Sequence, residues 1–129
     1  ASRDMRAGIS TIRGLGAEGH LFRPPYGKLT LMTLFDGLRL DQHFGWWTVD
    51  PKDTKDSAGR RRPEDILDEI RSAGGGVVLL HDFDKEGEQP QDESHVDFVL
   101  SLTNQIIDFA EKNEYKIVPL GDVLRGDQQ

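Results

Sequence analysis

Apolar residues recur along this chain at helical and then at strand-like spacing, and the two alternate to the end. Met5, Ile9, Ile12 and Leu15 stand three or four residues apart, which places them on one face of a helix, and Gly14 and Gly16 mark its end. Residues 20–23 read as a short extended piece running into Pro24 and Pro25, and residues 29–40 as a second helix. The run 44–50 is aromatic and β-branched, which is strand chemistry. A polar loop is expected over 51–62. Pro63 at a first helical position, with Glu64 and Asp65 behind it, opens a third helix whose inner face is Ile66, Leu67 and Ile70. Gly74, Gly75 and Gly76 stop it. Val77-Val78-Leu79-Leu80 is continuously apolar, as in parallel strands buried on both faces. An acidic, polar loop follows over 82–94. A fourth helix over 95–112 turns Val99, Leu102, Ile106 and Phe109 inward, residues 116–120 read as a last strand, and residues 122–124 as a closing turn.

The resulting order, α-β-α-β-α-β-α-β, implies a parallel sheet flanked by helices, and hence an α/β fold. Four strands would suffice for a small open doubly wound domain. A chain that opens on a helix fits the second half of a larger barrel better. At 129 residues it is one domain or a piece of one, and long enough to bury a core without staples.

Composition narrows the chemistry. The absence of cysteine removes disulfides, zinc–thiolate sites and thiol catalysis. A net charge of −7 with acidic residues spread along the chain argues against a nucleic-acid partner, whose affinity would come from cations meeting phosphates. The one basic run, Arg60-Arg61-Arg62, reads as a solvated loop. No apolar stretch approaches the ~20 residues of a membrane span, and no apolar segment of a signal peptide follows the first residues.

In parallel β/α folds the active site gathers at the C-terminal ends of the strands. Three polar clusters stand at such ends: Arg23 and Tyr26, then Asp50 and Asp53, then His81 and Asp82. Singly each is weak, since a strand-end aspartate is usually a turn residue and a lone histidine is more often structural. Together, in chain order, Arg23-Pro24-Pro25-Tyr26-Gly27, Trp47-Thr48-Val49-Asp50-Pro51-Lys52-Asp53 and Gly75-Gly76-Val77-Val78-Leu79-Leu80-His81-Asp82 resemble the third, fourth and fifth motifs of the polysaccharide deacetylases that share the NodB homology domain, carbohydrate esterase family 4. The ending Tyr115-Lys116-Ile117-Val118-Pro119-Leu120 also looks like the closing strand of that family.

The resemblance spans nearly the whole chain. It implies a single partial domain, residues 1–129, forming the C-terminal part of a distorted (β/α) barrel of the NodB type. It also implies a function: metal-dependent hydrolysis of N-acetyl groups on a carbohydrate. In that chemistry a metal lowers the pKa of a bound water, preorganised donors hold the oxyanion, and an acid protonates the departing amine. By resemblance the Tyr26 backbone N–H donates to the oxyanion, fixed in place by the rigid prolines. His81 is the general acid, an imidazole suited to gaining and losing a proton near neutrality. Asp53 holds the His81 ring, and Arg23 pairs with a catalytic-base aspartate. Leu79, Trp47, Pro25 and Asp50 line the substrate pocket. Thr54 stands where the family carries a tryptophan, which puts the grip on substrate in doubt.

The family's first two motifs, an Asp-Asp pair and a His-x-x-x-His pair, are not in this sequence. Its histidines are His20, His43, His81 and His95, and no two are three or four residues apart, so no helical pair of imidazoles can form. The divalent metal, zinc or similar, that the resemblance implies therefore has no ligands in this chain. Three readings follow: a portion of a larger deacetylase, inactive alone; a glycan-binding remnant that does not hydrolyse; or chains that complement each other or associate through exposed strand edges and apolar faces. From a different class comes an α/β interaction module in which the motifs are coincidence. The implied partner is a carbohydrate and the implied setting extracytoplasmic.

Overall fold

The computed structural model describes residues 2–16, 20–82 and 94–125. The chain divides into two units, Ala1–Trp46 with Val118–Gln129, and Trp47–Ile117.

In the first unit the expected helix forms as α1 (Ser2–Gly14). After it comes β1 (Leu21–Phe22), then a 3-10 turn (Pro25–Gly27), α2 (Leu31–Arg39) and β2 (His43–Phe44). β1 and β2 pair in parallel, Leu21 opposite His43 and Phe22 opposite Phe44, with α2 as the crossover that a parallel pair requires. Thr30 caps α2 by accepting the Thr33 N–H at 3.2 Å. Gly37 lies mid-helix because a Cβ there would fall 2.2 Å from Cζ of Phe44, so the Phe44 ring rests on the helix backbone. That ring meets Phe22 edge-on, with centroids 6.0 Å apart.

Burial in this unit departs from the periodic pattern. Met5 and Ile9 are buried, but Ile12 and Leu15, expected on the same inward face, are 47% and 82% exposed. The packing that covers the start of α1 is not continued to its end. On α2 the buried residues are Thr33, Asp36 and Gly37, and Asp36 receives Arg6 of α1 at 3.1 Å. Leu31, Met32, Phe35 and Leu38 are exposed.

The second unit is built on α3 (Pro63–Ala73) and α4 (His95–Lys112). Pro63 takes the first helical position, and Gly74 ends α3 in the left-handed conformation at φ 70°. Ser94 caps α4 by accepting the Asp97 N–H at 3.0 Å. Val49, Ile66, Ile70, Phe98, Leu102 and Phe109 form the core, with Leu67, Val99 and Ile106 half-buried against it. The expected inner faces of both helices therefore point inward.

The strand expectations need correction. The run 44–50 is not one strand: β2 takes its start, a bend falls at Thr48, and Val49 forms an isolated parallel bridge with Val78. The Thr48 hydroxyl accepts the Val77 N–H at 2.9 Å, so a side chain fills a place that a ladder would give to a main-chain carbonyl. Val77-Val78-Leu79-Leu80 contributes that bridge through the Val49 N–H on the Val77 carbonyl (3.1 Å) and the Leu79 N–H on the Val49 carbonyl (3.0 Å). Residues 116–120 form no strand: 115–119 run without regular structure, Ile117 and Val118 are exposed, and Pro119 has no N–H to give a ladder. At Leu120 the chain enters α5 (Leu120–Arg125), in place of the expected closing turn. Of the loop expected over 82–94, residues 83–93 lie outside the described residues. Among the described residues no helix is long and apolar enough to cross a membrane.

Candidate active site

The second unit assembles a polar cluster around Asp53. Asp53 sits in the loop after Val49, where Lys52 adopts a positive φ of 61° and turns the chain. Its carboxylate is fully buried. Oδ2 accepts the His81 backbone N–H at 2.8 Å, and Oδ1 meets Nδ1 of His81 at 3.0 Å. A second imidazole completes the group: Nε2 of His95 lies 3.3 Å from Oδ2. His95 is 1% exposed and occupies the first position of α4. The His81 side chain is 34% exposed. One carboxylate thus holds a buried ring on one side and a solvent-reaching ring on the other, with His81 fixed at both main chain and side chain.

The Asp53–His81 pairing is the one expected from the sequence. The motifs do not point to His95, which stands 42 positions from Asp53 in no local pattern. One signal could have found it. His95 falls on the inward stripe of α4, one turn before Phe98 and two before Leu102, both buried. A polar group there has to find a hydrogen-bond partner.

Asp50 is committed to the turn. Its Oδ1 accepts the Lys52 N–H at 2.9 Å and its Oδ2 the Lys52 ammonium at 2.6 Å. Burial pushes the Asp50 carboxyl up, but the Lys52 side-chain and backbone hydrogen bonds and charge, with a smaller pull from His81, bring it below its ordinary 3.8. The basic run is solvated at Arg62, whose side chain is 75% exposed, but not at Arg60, which is half-buried. Arg60 reaches the Asp53 carbonyl at 3.3 Å and the Ser94 carbonyl at 3.4 Å and lies over the Phe98 ring. Arg61 pairs with Glu69 at 2.6 Å, and Arg62 with Asp65 at 2.7 Å. Arg60 is half-buried and brackets the two segments that carry Asp53 and His95, because loop carbonyls without a ladder need donors. Leu79 is buried, Trp47 half-buried and Thr54 exposed.

The remaining expected residues belong to the first unit. Arg23 and Pro25 are exposed, and Pro24 between them is buried. Tyr26 adopts φ 56° and ψ 18° inside the 3-10 turn, a left-handed conformation that disfavours any residue with a Cβ. The Gly27 N–H closes this turn on the Pro24 carbonyl at 3.1 Å, while the Tyr26 N–H makes no backbone hydrogen bond among the described residues. The Tyr26 side chain is 93% exposed. Pro25 and Tyr26 also border a mainly apolar cavity of about 470 Å³ whose walls include Met5, Ile9 and Phe22.

Among the described residues no group of three His, Asp or Glu side chains is placed to hold a metal ion. Compared with protein-family models, with curated proteins and with solved structures, the chain matches none.

Proposed function

We propose that this chain provides the proton donor of an amide hydrolase that removes N-acetyl groups from a carbohydrate, as the polysaccharide deacetylases do. One observation carries the reading: a buried aspartate holds Nδ1 of a partly exposed histidine at 3.0 Å, and the two belong to separate segments with the expected motifs. With Nδ1 engaged, Nε2 is the ring atom that faces away from Asp53, the place from which a proton reaches a leaving amine. Among the described residues no ligand set for the metal that the resemblance implies is found, and the role proposed for His81 is proton transfer.

The test is acetate release from acetylated oligosaccharides by the protein with any sequence its gene encodes ahead of Ala1. His81→Ala should lower turnover by about a hundredfold or more. Unchanged turnover would overturn the reading. The 129-residue chain alone should release no acetate.

A second reading, an interaction module that associates with itself, draws on α2. Leu31, Met32, Phe35 and Leu38 leave contiguous apolar surface open, which soluble monomers usually cover. Sedimentation across a concentration series tests it. A monomer throughout sinks it.

A further inference from the structure

Asp53 is surrounded by more donors than a histidine–carboxylate pair needs. The His81 backbone N–H, Nδ1 of His81 and Nε2 of His95 all converge on its two oxygens, at 2.8, 3.0 and 3.3 Å. A carboxylate only accepts hydrogen bonds, so each ring nitrogen facing it has to carry a proton. This fixes the tautomer of both neutral rings. His81 is Nδ1–H, leaving the Nε2 lone pair outward, and His95 is Nε2–H. The two rings differ in freedom. His81 reaches solvent, whereas the His95 side chain is 2% exposed and is set into the first turn of a capped 18-residue helix. His95 therefore meets Asp53 from the buried side and His81 from the solvent side.

We infer that His95 is a positioning residue: through its Nε2–H it anchors the Asp53 carboxylate in the orientation that holds His81 in its Nδ1–H form. The inference rests on the reading of His81 as proton donor, which it deepens by naming what aims that donor. Both the main-chain and the ring donor of His81 come from one segment, whereas Nε2–H of His95 adds a donor from α4 in the core, so the carboxylate is held from two separate elements. Arg60 supports the same arrangement by holding the Asp53 and Ser94 carbonyls, the first on Asp53 itself and the second next to His95.

The experiment is long-range proton–nitrogen NMR of the imidazoles, at a pH where both rings are neutral, on wild type, His95→Phe and His95→Gln. Wild type should show His81 as the Nδ1–H tautomer and His95 as Nε2–H. Phenylalanine keeps bulk but gives no donor, so His81 should become a mixture of tautomers. Glutamine restores an N–H donor and should restore the single Nδ1–H form. A single Nδ1–H form of His81 in His95→Phe overturns the inference, and so does wild-type His95 protonated at Nδ1 instead of Nε2. The wild-type measurement decides the second point even if the phenylalanine variant does not fold. In the acetate-release assay His95→Phe should lower kcat at least tenfold with KM changed less than threefold, and His95→Gln should recover most of the loss. Turnover that is insensitive to His81→Ala would sink the deacetylase reading and leave the tautomer result standing. A lost tautomer effect beside an intact His81 dependence would sink only the role of His95.

Discussion

The two units of this chain follow the same sequence rule with opposite results. On α3 and α4 the apolar stripe faces a core, and Ile66 and Leu102 reach zero exposure. On α2 the stripe of Leu31, Met32, Phe35 and Leu38 is 62–75% exposed, while Thr33, Asp36 and Gly37 are buried. Periodicity states which residues share a helix face. Which face is covered depends on what is packed against it, and on α2 Arg6 and the Phe44 ring claim the polar, small-residue side. The polar cluster around Asp53 lies in the unit whose helices bury their apolar stripes. Rigid packing of that kind is what holds donors in fixed geometry.

The two units should differ most in what their apolar side chains contribute to stability. Leu102→Ala should cost about 3–4 kcal/mol, since a fully buried leucine loses both transfer energy and packing. Leu38→Ala on the exposed stripe should stay within about 0.5 kcal/mol. Denaturant midpoints measure both, and a cost above about 1.5 kcal/mol at Leu38 would mean that the stripe is covered in solution. Next comes Gly37→Ala. An alanine normally gains about 1 kcal/mol in a helix, but the Phe44 ring occupies its place, so a net loss of about 1–3 kcal/mol is expected. A gain would show that Phe44 does not pack there.

Smaller effects probe the turns. Tyr26→Gly relieves a left-handed conformation costing about 1–2 kcal/mol and gives back part of it to the freer unfolded chain. A net gain of about 0.5 kcal/mol is expected by thermal melting. A loss would show that the ring is packed. The smallest effect is at Lys52→Met. The folded Asp50 carboxyl lies below its ordinary 3.8, so its stabilisation is present above that value and is lost as pH falls through the lower folded one. The substitution should cost a few tenths of a kcal/mol at about pH 7 and progressively less as the pH is lowered and Asp50 becomes protonated in both states. A cost independent of pH would assign the effect to the backbone at its φ of 61° instead.

Much of this molecule is legible in the sequence where one cause dominates. Pro63 and Gly74 set the ends of α3 through φ preference, and the α4 boundaries follow from 18 residues of unbroken period. Strands are less legible. The run Val77-Val78-Leu79-Leu80 carries the composition of a buried strand, but a ladder needs partners, and among the described residues Val49 supplies a single bridge. The Asp53–His81 pair is accessible from the sequence only through the motifs, whose resemblance to the deacetylases implies that Asp53 holds the His81 ring. His95 is not, since nothing local marks a contact closed by α4 across 42 positions. Arg60 likewise looks like part of a charge run, and its partners are backbone carbonyls, which no side-chain pattern reveals.

On the function proposed above, His81 is held for chemistry and not for stability, which turnover and unfolding free energy measured side by side for His81→Ala will decide. Acetate release should fall by about a hundredfold or more, with a stability loss no larger than about 1–2 kcal/mol, as expected for a ring one-third exposed whose Nδ1 gives up its hydrogen bonding to Asp53. Unchanged turnover, or turnover that falls only as far as the folded fraction does, would contradict it.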